Sequence, residues 1–360
     1  MTDGLAELPK LLEAIARTRV CIVGDVLLDV FTRGHTERVC PDAPALVVRE
    51  RDVTYRASGA ALAAQPLRSL GAHVHLITAL GDDDAGRRAR QLIAEDGTTL
   101  TAVSADRPTP CKNRIIASHP AAAEAGGRLL LRLDREETAD VPALVEAELI
   151  ASVREAITHV DAVLLSDYAK GVCIPALTQT VIDTARSAGI PVVVDPKHPD
   201  PRRYAGANVL TPNLAELTAL TGGGKPVAEA EEVRALAEQL RAESGADWVV
   251  ATRDAAGLTA VGPSGAHIEI PAYPGEVVDV AGAGDVLAGA LAVALGACLG
   301  LTTETLTRAA VLASLAAGLS LRQETHKRVT AEELLTAAEQ YGLVDLFVDM
   351  LIVDMEGPRS

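Results

Sequence analysis

Aromatic side chains are scarce in this 360-residue chain: Phe, Tyr and Trp make up 2% of it, with one tryptophan and two phenylalanines. A core must therefore be assembled from Ala, Val, Leu and Ile, and a hydrophobic content of 48% suffices for one large domain. Excess positive charge is also lacking, since 33 Lys and Arg face 49 Asp and Glu for a formal net charge of −16. No basic stripe exists to replace the counterions of a nucleic acid, which excludes that class of partner. A local cluster of cations for a small phosphorylated ligand is not excluded. The five cysteines (Cys21, Cys40, Cys111, Cys173, Cys298) are odd in number and scattered, with no CxxC and no Cys/His metal spacing. They read as reduced, mostly buried thiols of a cytoplasmic protein. The opening MTDGLAELPK is acidic and lacks the apolar centre of a signal peptide. Apolar stretches are broken by Gly and polar residues, so no membrane span is expected. No GxxxxGK[ST] phosphate loop occurs.

What is present is an alternation of short apolar runs with helical stretches. Arg19 to Val23, Val74 to Ala79, Ala162 to Leu165, Pro191 to Val194 and Trp248 to Thr252 read as buried parallel strands. Helices are expected between them, including Gly59 to Leu70, Asp84 to Glu95, Pro142 to Thr158, Leu177 to Ala188 and Glu229 to Ser244. This predicts a doubly wound α/β sheet with helices on both faces. Two stretches, near 31–57 and 108–135, lack a helical period. They read instead as short alternating strands: Ala45 to Arg49, Asp52 to Tyr55, Thr109 to Ala117 and Arg128 to Leu133.

The densest signal is Asp279-Val280-Ala281-Gly282-Ala283-Gly284-Asp285. It follows a β-rich segment, Ala266 to Val280, and opens an apolar helical run expected over Val286 to Leu299. A small-residue turn at a helix N-terminus leaves backbone N–H groups for an anion. A carboxylate inside such a site suits a general base that deprotonates a hydroxyl attacking a held phosphoryl group. Taken by itself, the same stretch is equally a tight turn with an N-capping Asp.

DVAGAGDVLAGALA resembles the second signature of the ribokinase-like (PfkB) carbohydrate kinases, and the likeness extends over roughly Val20 to Gln340. The resemblance implies a ribokinase-type domain over 1–345 with a small β-lid from the two inserted stretches, and a tail at 346–360. It implies ATP-dependent phosphorylation of a sugar, with Asp285 as base and Gly282, Ala283 and Gly284 as the anion hole. Asp29, in a GDxxxD setting, and Gly59 would hold the sugar. In the GGxxN motif of relatives this chain has Ser58 and Leu62. Thr109-Pro110-Cys111-Lys112-Asn113-Arg114, Leu130-Leu131-Arg132-Leu133-Asp134 and Ser166-Asp167-Tyr168-Ala169-Lys170-Gly171 are similar to the heptose-7-phosphate kinases of the family. Lys112, Arg114 and Arg132 would meet a sugar phosphate, with Asp167 beside the substrate; without the likeness they are a solvated strand face. Asn213 and Glu216 of TPNxxE would organise Mg²⁺, largely through water. Lys197, Asn213, Thr252, Arg253, Gly257 and Ser314 would border the nucleotide. A monovalent cation is left open, because Arg322-Gln323-Glu324-Thr325-His326 stands where relatives have a glycine-rich turn. The implied partners are a sugar phosphate, ATP and a second copy joined through the lid. Two alternatives stay open: a kinase of a different sugar or sugar phosphate, and a weakly active homologue that binds nucleotide or sugar.

Overall fold

A computed structural model describes residues 4–118, 127–224, 229–273, 277–298, 300–323 and 328–343. The tail at 346–360 and His326 lie outside them.

The first helix, α1 (Gly4–Ile15), leads into β1 (Arg19–Gly24), followed directly by β2 (Val26–Val39) and β3 (Leu46–Gly59). Then come α2 (Ala60–Ser69), β4 (His73–Gly81), α3 (Asp84–Glu95), β5 (Thr99–Ala105), β6 (Cys111–Ser118) and β7 (Arg128–Arg135). The central stretch holds α4 (Ala143–Ile157), β8 (Ala162–Ser166), α5 (Pro175–Ser187), β9 (Val192–Asp195), β10 (Val209–Leu210), α6 (Leu214–Leu220) and α7 (Ala230–Ser244). The remainder is β11 (Trp248–Thr252), β12 (Leu258–Val261), β13 (His267–Ile270), α8 (Ala283–Gly296), α9 (Thr303–Ser320) and α10 (Ala331–Gln340).

Nine strands form one sheet in the order β13-β12-β11-β10-β9-β8-β1-β4-β5. Every pairing in it is parallel except the two at the β12 hairpins. Strand alternation divides the core into two layers. Val20 and Ile22 of β1 join a cluster with α1, α2, α8 and α9. Cys21 and Val23 face the other way, toward α4, α5 and α7. The chain winds from β1 to β4 and β5 on one side, and through β8, β9, β10 and β11 on the other. The strand order therefore reverses between β1 and β8, where open α/β sheets bind ligands beyond the carboxyl ends.

The lid is a separate sheet in the order β3-β2-β6-β7. Its register assigns the faces. Asp29 pairs with Arg56 and Lys112, and Phe31 with Thr54 and Arg114. Arg114 in turn pairs with Arg132. Asp29, Phe31, Arg56, Lys112, Arg114 and Arg132 thus share one face.

Several boundaries differ from the sequence reading. The stretches Ala45 to Arg49 and Asp52 to Tyr55 are one continuous strand, β3, and its partner β2 starts at Val26. Pairing with β2, including register shifts at Arg33/Gly34 and Thr36/Arg38, carries the strand across the charged Glu50-Arg51-Asp52. β5, at the sheet edge, carries no strand signal in the sequence. Among the described residues of the β-rich segment Ala266 to Val280 the strand is β13, and α8 starts at Ala283 rather than Val286.

Candidate active site

The start of α8 sets the geometry. Gly282 is its N-cap, at φ 84° and ψ 5° in the left-handed region. A Cβ there would also press on the tip of Leu62 at Cδ2, so the conformation requires glycine and the packing adds to the preference. The Ala281 N–H is taken by Asp279 Oδ1 at 2.9 Å. The Ala283 N–H turns back on Val280 O at a long 3.4 Å. A Cβ on Gly284 would meet nothing within 4 Å, so the space above the first turn is open.

Asp285 occupies the third helical position and is only 4% exposed. Tyr168 Oη donates to its Oδ1 at 2.6 Å. Burial pushes its pKa up to about 7, against the opposing pull of the Tyr168 hydrogen bond and the Arg56 charge. A carboxyl balanced near neutrality is what general-base chemistry uses.

On one side of Asp285 stands the lid. Asp29, 2% exposed, accepts from Arg114 Nη1 at 2.6 Å and Arg56 Nη2 at 3.1 Å. Burial alone would raise the Asp29 pKa, but Arg114 and Arg56 outweigh it and hold the group below the ordinary value. Arg33, Arg56 and Arg114 lie 5.2–5.4 Å from the centroid of the Phe31 ring. Burial lowers the pKa of Lys112 on the same face. Arg132 is bound to Asp134 at 2.8 Å and is more exposed, at 52% of its side chain. Four arginines and a lysine thus sit around Asp29, Asp134 and Asp279, in a protein of strongly negative net charge.

On the other side lie the ends of β9, β10 and β11. Asn213 and Glu216 form a reciprocal cap on α6: Asn213 Oδ1 accepts from the Glu216 N–H, and Glu216 Oε2 from the Asn213 N–H at 3.0 Å. Glu216 Oε1 takes Lys197 Nζ at 2.8 Å. Thr252 bridges to Asn213. Arg253 is engaged by Glu269 at 2.9 Å. Gly257 closes the β11–β12 turn at φ 88°. Ser314 is buried in α9, its Oγ 3.4 Å from Pro271 O. Lys197, Asn213, Glu216 and Thr252 are therefore one group, whereas Arg253 contacts Ala256, Gly257 and Glu269 of β13, and Ser314 contacts the Pro271 that follows β13.

Asp167 is 3% exposed, and both its oxygens are used: Oδ1 accepts from the Ala169 N–H at 2.7 Å and Oδ2 from Tyr204 Oη at 2.5 Å. It anchors the 167–172 loop. Gly59, at φ 65°, caps α2 with its Cβ direction blocked by Asp25 O.

A family comparison agrees with this geometry: residues 17–328 match the pfkB family of carbohydrate kinases. The chain belongs to that family. It is 36% identical over 342 residues to the Bifunctional protein HldE of Rhodospirillum rubrum, and 38% identical over 340 residues to that of Caulobacter vibrioides. Each alignment covers 94% of this chain and 66% of the relative, so the chain spans about two thirds of their length. Arabidopsis thaliana ribokinase complexed with ribose and ATP superposes with a TM-score of 0.67 at 18% identity, over 89% of this chain and 98% of that one. Phosphofructokinase-2 from Escherichia coli in complex with fructose-6-phosphate gives 0.69 at 19%, over 90% and 99%. These neighbours establish a ribokinase-like fold.

Kinases of this family imply Mg²⁺, and the chemistry of the carboxylates Asp195, Glu216 and Asp285 fits such an ion. Burial, then the Glu216 and Asp285 carboxylates, hold the pKa of Asp195 well above the ordinary value. Such mutual repulsion among carboxylates is what a divalent cation relieves. Asn213 and Glu216 have their side-chain oxygens engaged already, which suits contact through water. Among the described residues, no helix is long and apolar enough to cross a membrane.

Sequence reasoning missed Arg56, Asp195 and Tyr168. For Arg56 the available signal was strand parity. Parity over 46–59 as one strand gives only the face of Arg56; that it falls opposite Asp29 follows from the pairing with β2.

Proposed function

We propose that the chain is an ATP-dependent sugar kinase acting on D-glycero-D-manno-heptose 7-phosphate at the anomeric hydroxyl, giving the 1,7-bisphosphate. The observation that carries this reading is a buried Asp285 at a helix N-terminus, facing a lid lined with cations. Asp285 takes the proton of the acceptor hydroxyl as its oxygen bonds to the γ-phosphorus of ATP. The bond to the bridging oxygen breaks and ADP leaves. The N–H groups of Gly282, Ala283 and Gly284 stabilise the transferring group's charge. Asp29 and Gly59 orient the sugar, while Lys112, Arg114 and Arg132 hold its existing phosphate, for which arginine forks are suited. Lys197, Asn213, Thr252, Arg253, Gly257 and Ser314 border ATP. Asn213 and Glu216 would hold Mg²⁺, largely through water, and the ion would supply charge neutralisation for the phosphates.

A second reading keeps the chemistry and changes the sugar. Leu62, 2% exposed, packs under Gly282 where an amide would offer a sugar hydroxyl a partner.

The test is ADP release with MgATP across D-glycero-D-manno-heptose 7-phosphate, sedoheptulose 7-phosphate, fructose 6-phosphate and unphosphorylated sugars. Turnover of the heptose phosphate that disappears in Asp285→Asn is the expected result. Preference for another sugar would move the substrate, and silence across the panel with ATP still bound would favour a weakly active homologue. Arg114→Ala should raise KM for a phosphorylated sugar and leave ATP affinity nearly unchanged. A fall in ATP affinity alone would overturn the lid-phosphate assignment.

The lid also supports a homodimer. Leu129, Leu131 and Leu133 lie on the edge strand β7, each more than half exposed. A second copy of this chain would cover them, as unpaired apolar edges demand. Sedimentation should give a dimer, and Leu131→Glu should shift it toward monomer. A wild-type monomer at micromolar concentration would remove the idea.

A further inference from the structure

Asp285 has two oxygens, and the structure treats them differently. Oδ1 accepts the Tyr168 hydroxyl at 2.6 Å. Oδ2 lies toward the anion-hole turn, 3.5 Å from where a Cβ on Gly282 would stand. We propose that Tyr168 is a positioning residue: its phenol fixes Oδ1, turns the carboxylate, and leaves Oδ2 as the oxygen that receives the acceptor's proton. This rests on the kinase reading above.

The phenol is itself held firmly, by a loop at the strand-order reversal. The Tyr168 N–H donates to Asp25 Oδ2 at 2.9 Å. Asp25 also accepts from the Lys170 N–H at 3.1 Å and the Val172 N–H at 2.9 Å. Three amides from one loop thus converge on a carboxylate that is 1% exposed and directly follows β1. Ala169 is held at φ 52°, an unfavourable conformation for alanine, with its N–H on Asp167. A turn with that many partners, and with its next residue in a strained conformation, fixes the backbone from which the Tyr168 side chain reaches Asp285.

The remaining charged groups around Asp285 do not substitute for the phenol. Arg56 approaches from β3 and favours the ionised form, whereas Glu216 from α6 opposes it. Asp195, at the end of β9, is a third carboxylate in the same field, and Asp279 lies 3.9 Å from Arg56 Nη1. Burial, then the Asp285 charge, pushes the Tyr168 hydroxyl well above its ordinary pKa, so it remains a donor throughout the neutral range. The proton taken from the acceptor goes to Oδ2, and the phenolic proton stays where it is.

Tyr168→Phe removes one oxygen atom and should lower kcat about 10–100-fold, the scale of a misoriented catalytic group. KM for ATP and for the sugar should change little. Losing a hydrogen bond to the ionised carboxylate should move the acidic limb of the pH–rate profile to higher pH. 3-Fluorotyrosine at position 168 should restore both rate and limb. Thermal unfolding and ATP binding of each variant check that the fold is retained. A readout independent of turnover is the ¹³C carboxyl titration of labelled aspartate, with Asp285 assigned by comparison with Asp285→Asn. Its midpoint should rise in Tyr168→Phe. If the wild type turns over no sugar, the kinase reading fails, and the titration alone decides the role of Tyr168. An unmoved limb with an unmoved titration would reduce Tyr168 to packing and overturn the proposal.

Discussion

Replacing Asp285 with asparagine is expected to lower the phosphoryl-transfer rate about 10²–10⁴-fold, the span a general base contributes. Fold and ATP affinity should survive. Asparagine fills the same volume, and its carbonyl oxygen can still accept from Tyr168, the partner that Asp285 meets at 2.6 Å. The stability arm has a definite sign. Burial raises the folded-state pKa of Asp285 to about 7, above its unfolded value, so ionisation works against the folded state as pH climbs between the two values. The neutral variant escapes that cost and should be at least as stable as the wild type at pH 8. Wild-type activity should fall about tenfold per pH unit below neutrality, as the base protonates. Single-turnover rates and unfolding midpoints across pH 6–9 measure both arms. An unimpaired variant would mean that another group takes the proton.

The parts of this site that were legible in the sequence are those whose chemistry is local. The turn from Asp279 to Asp285 announces itself because small residues, a helix start and a carboxylate fall within seven positions. Asp84–Glu95 and Trp248–Thr252 carry complete periodic signals and have the expected bounds. β5 does not: Thr99–Ala105 is an edge strand in which Leu100 and Val103 stand among small and polar residues, with neither an apolar run nor clean alternation. Contacts across the chain were out of reach for a different reason. Tyr168 and Asp285 are 117 residues apart, and Asp29 and Arg56 meet only once a hairpin register with two irregularities is known. The motif at 166–171 drew attention to Asp167, whose carboxylate holds the loop, whereas it is the neighbouring Tyr168 that meets Asp285. The early start of α8 has the same origin: Asp285 belongs to the first helical turn rather than preceding it.

Asp29→Asn should produce the largest loss of stability among the site variants. The Asp29 side chain is 3% exposed, and the guanidinium groups of Arg56 and Arg114 that it joins are 4% and 23% exposed, so solvent screens the cluster little. Breaking a buried ion pair by neutralising one member costs about 3–5 kcal/mol, mostly from the charge left behind. For a chain of this length that is roughly a 5 °C lower unfolding midpoint. The pH dependence follows from the depressed pKa of Asp29. Its contribution is complete above the unfolded carboxylate value of about 3.9 and is lost as pH falls through the lower folded value. The deficit of the variant should therefore be constant between pH 6 and 8 and should close in acid. The same cluster links stability to substrate: Arg114 bridges Asp29 to the cationic lid face, so KM for the sugar should rise as well. Equal midpoints for wild type and variant at pH 7 would mean that other carboxylates, with Asp279 at 3.9 Å from Arg56 the nearest known, already balance the arginines. Asp29 would then serve the sugar alone.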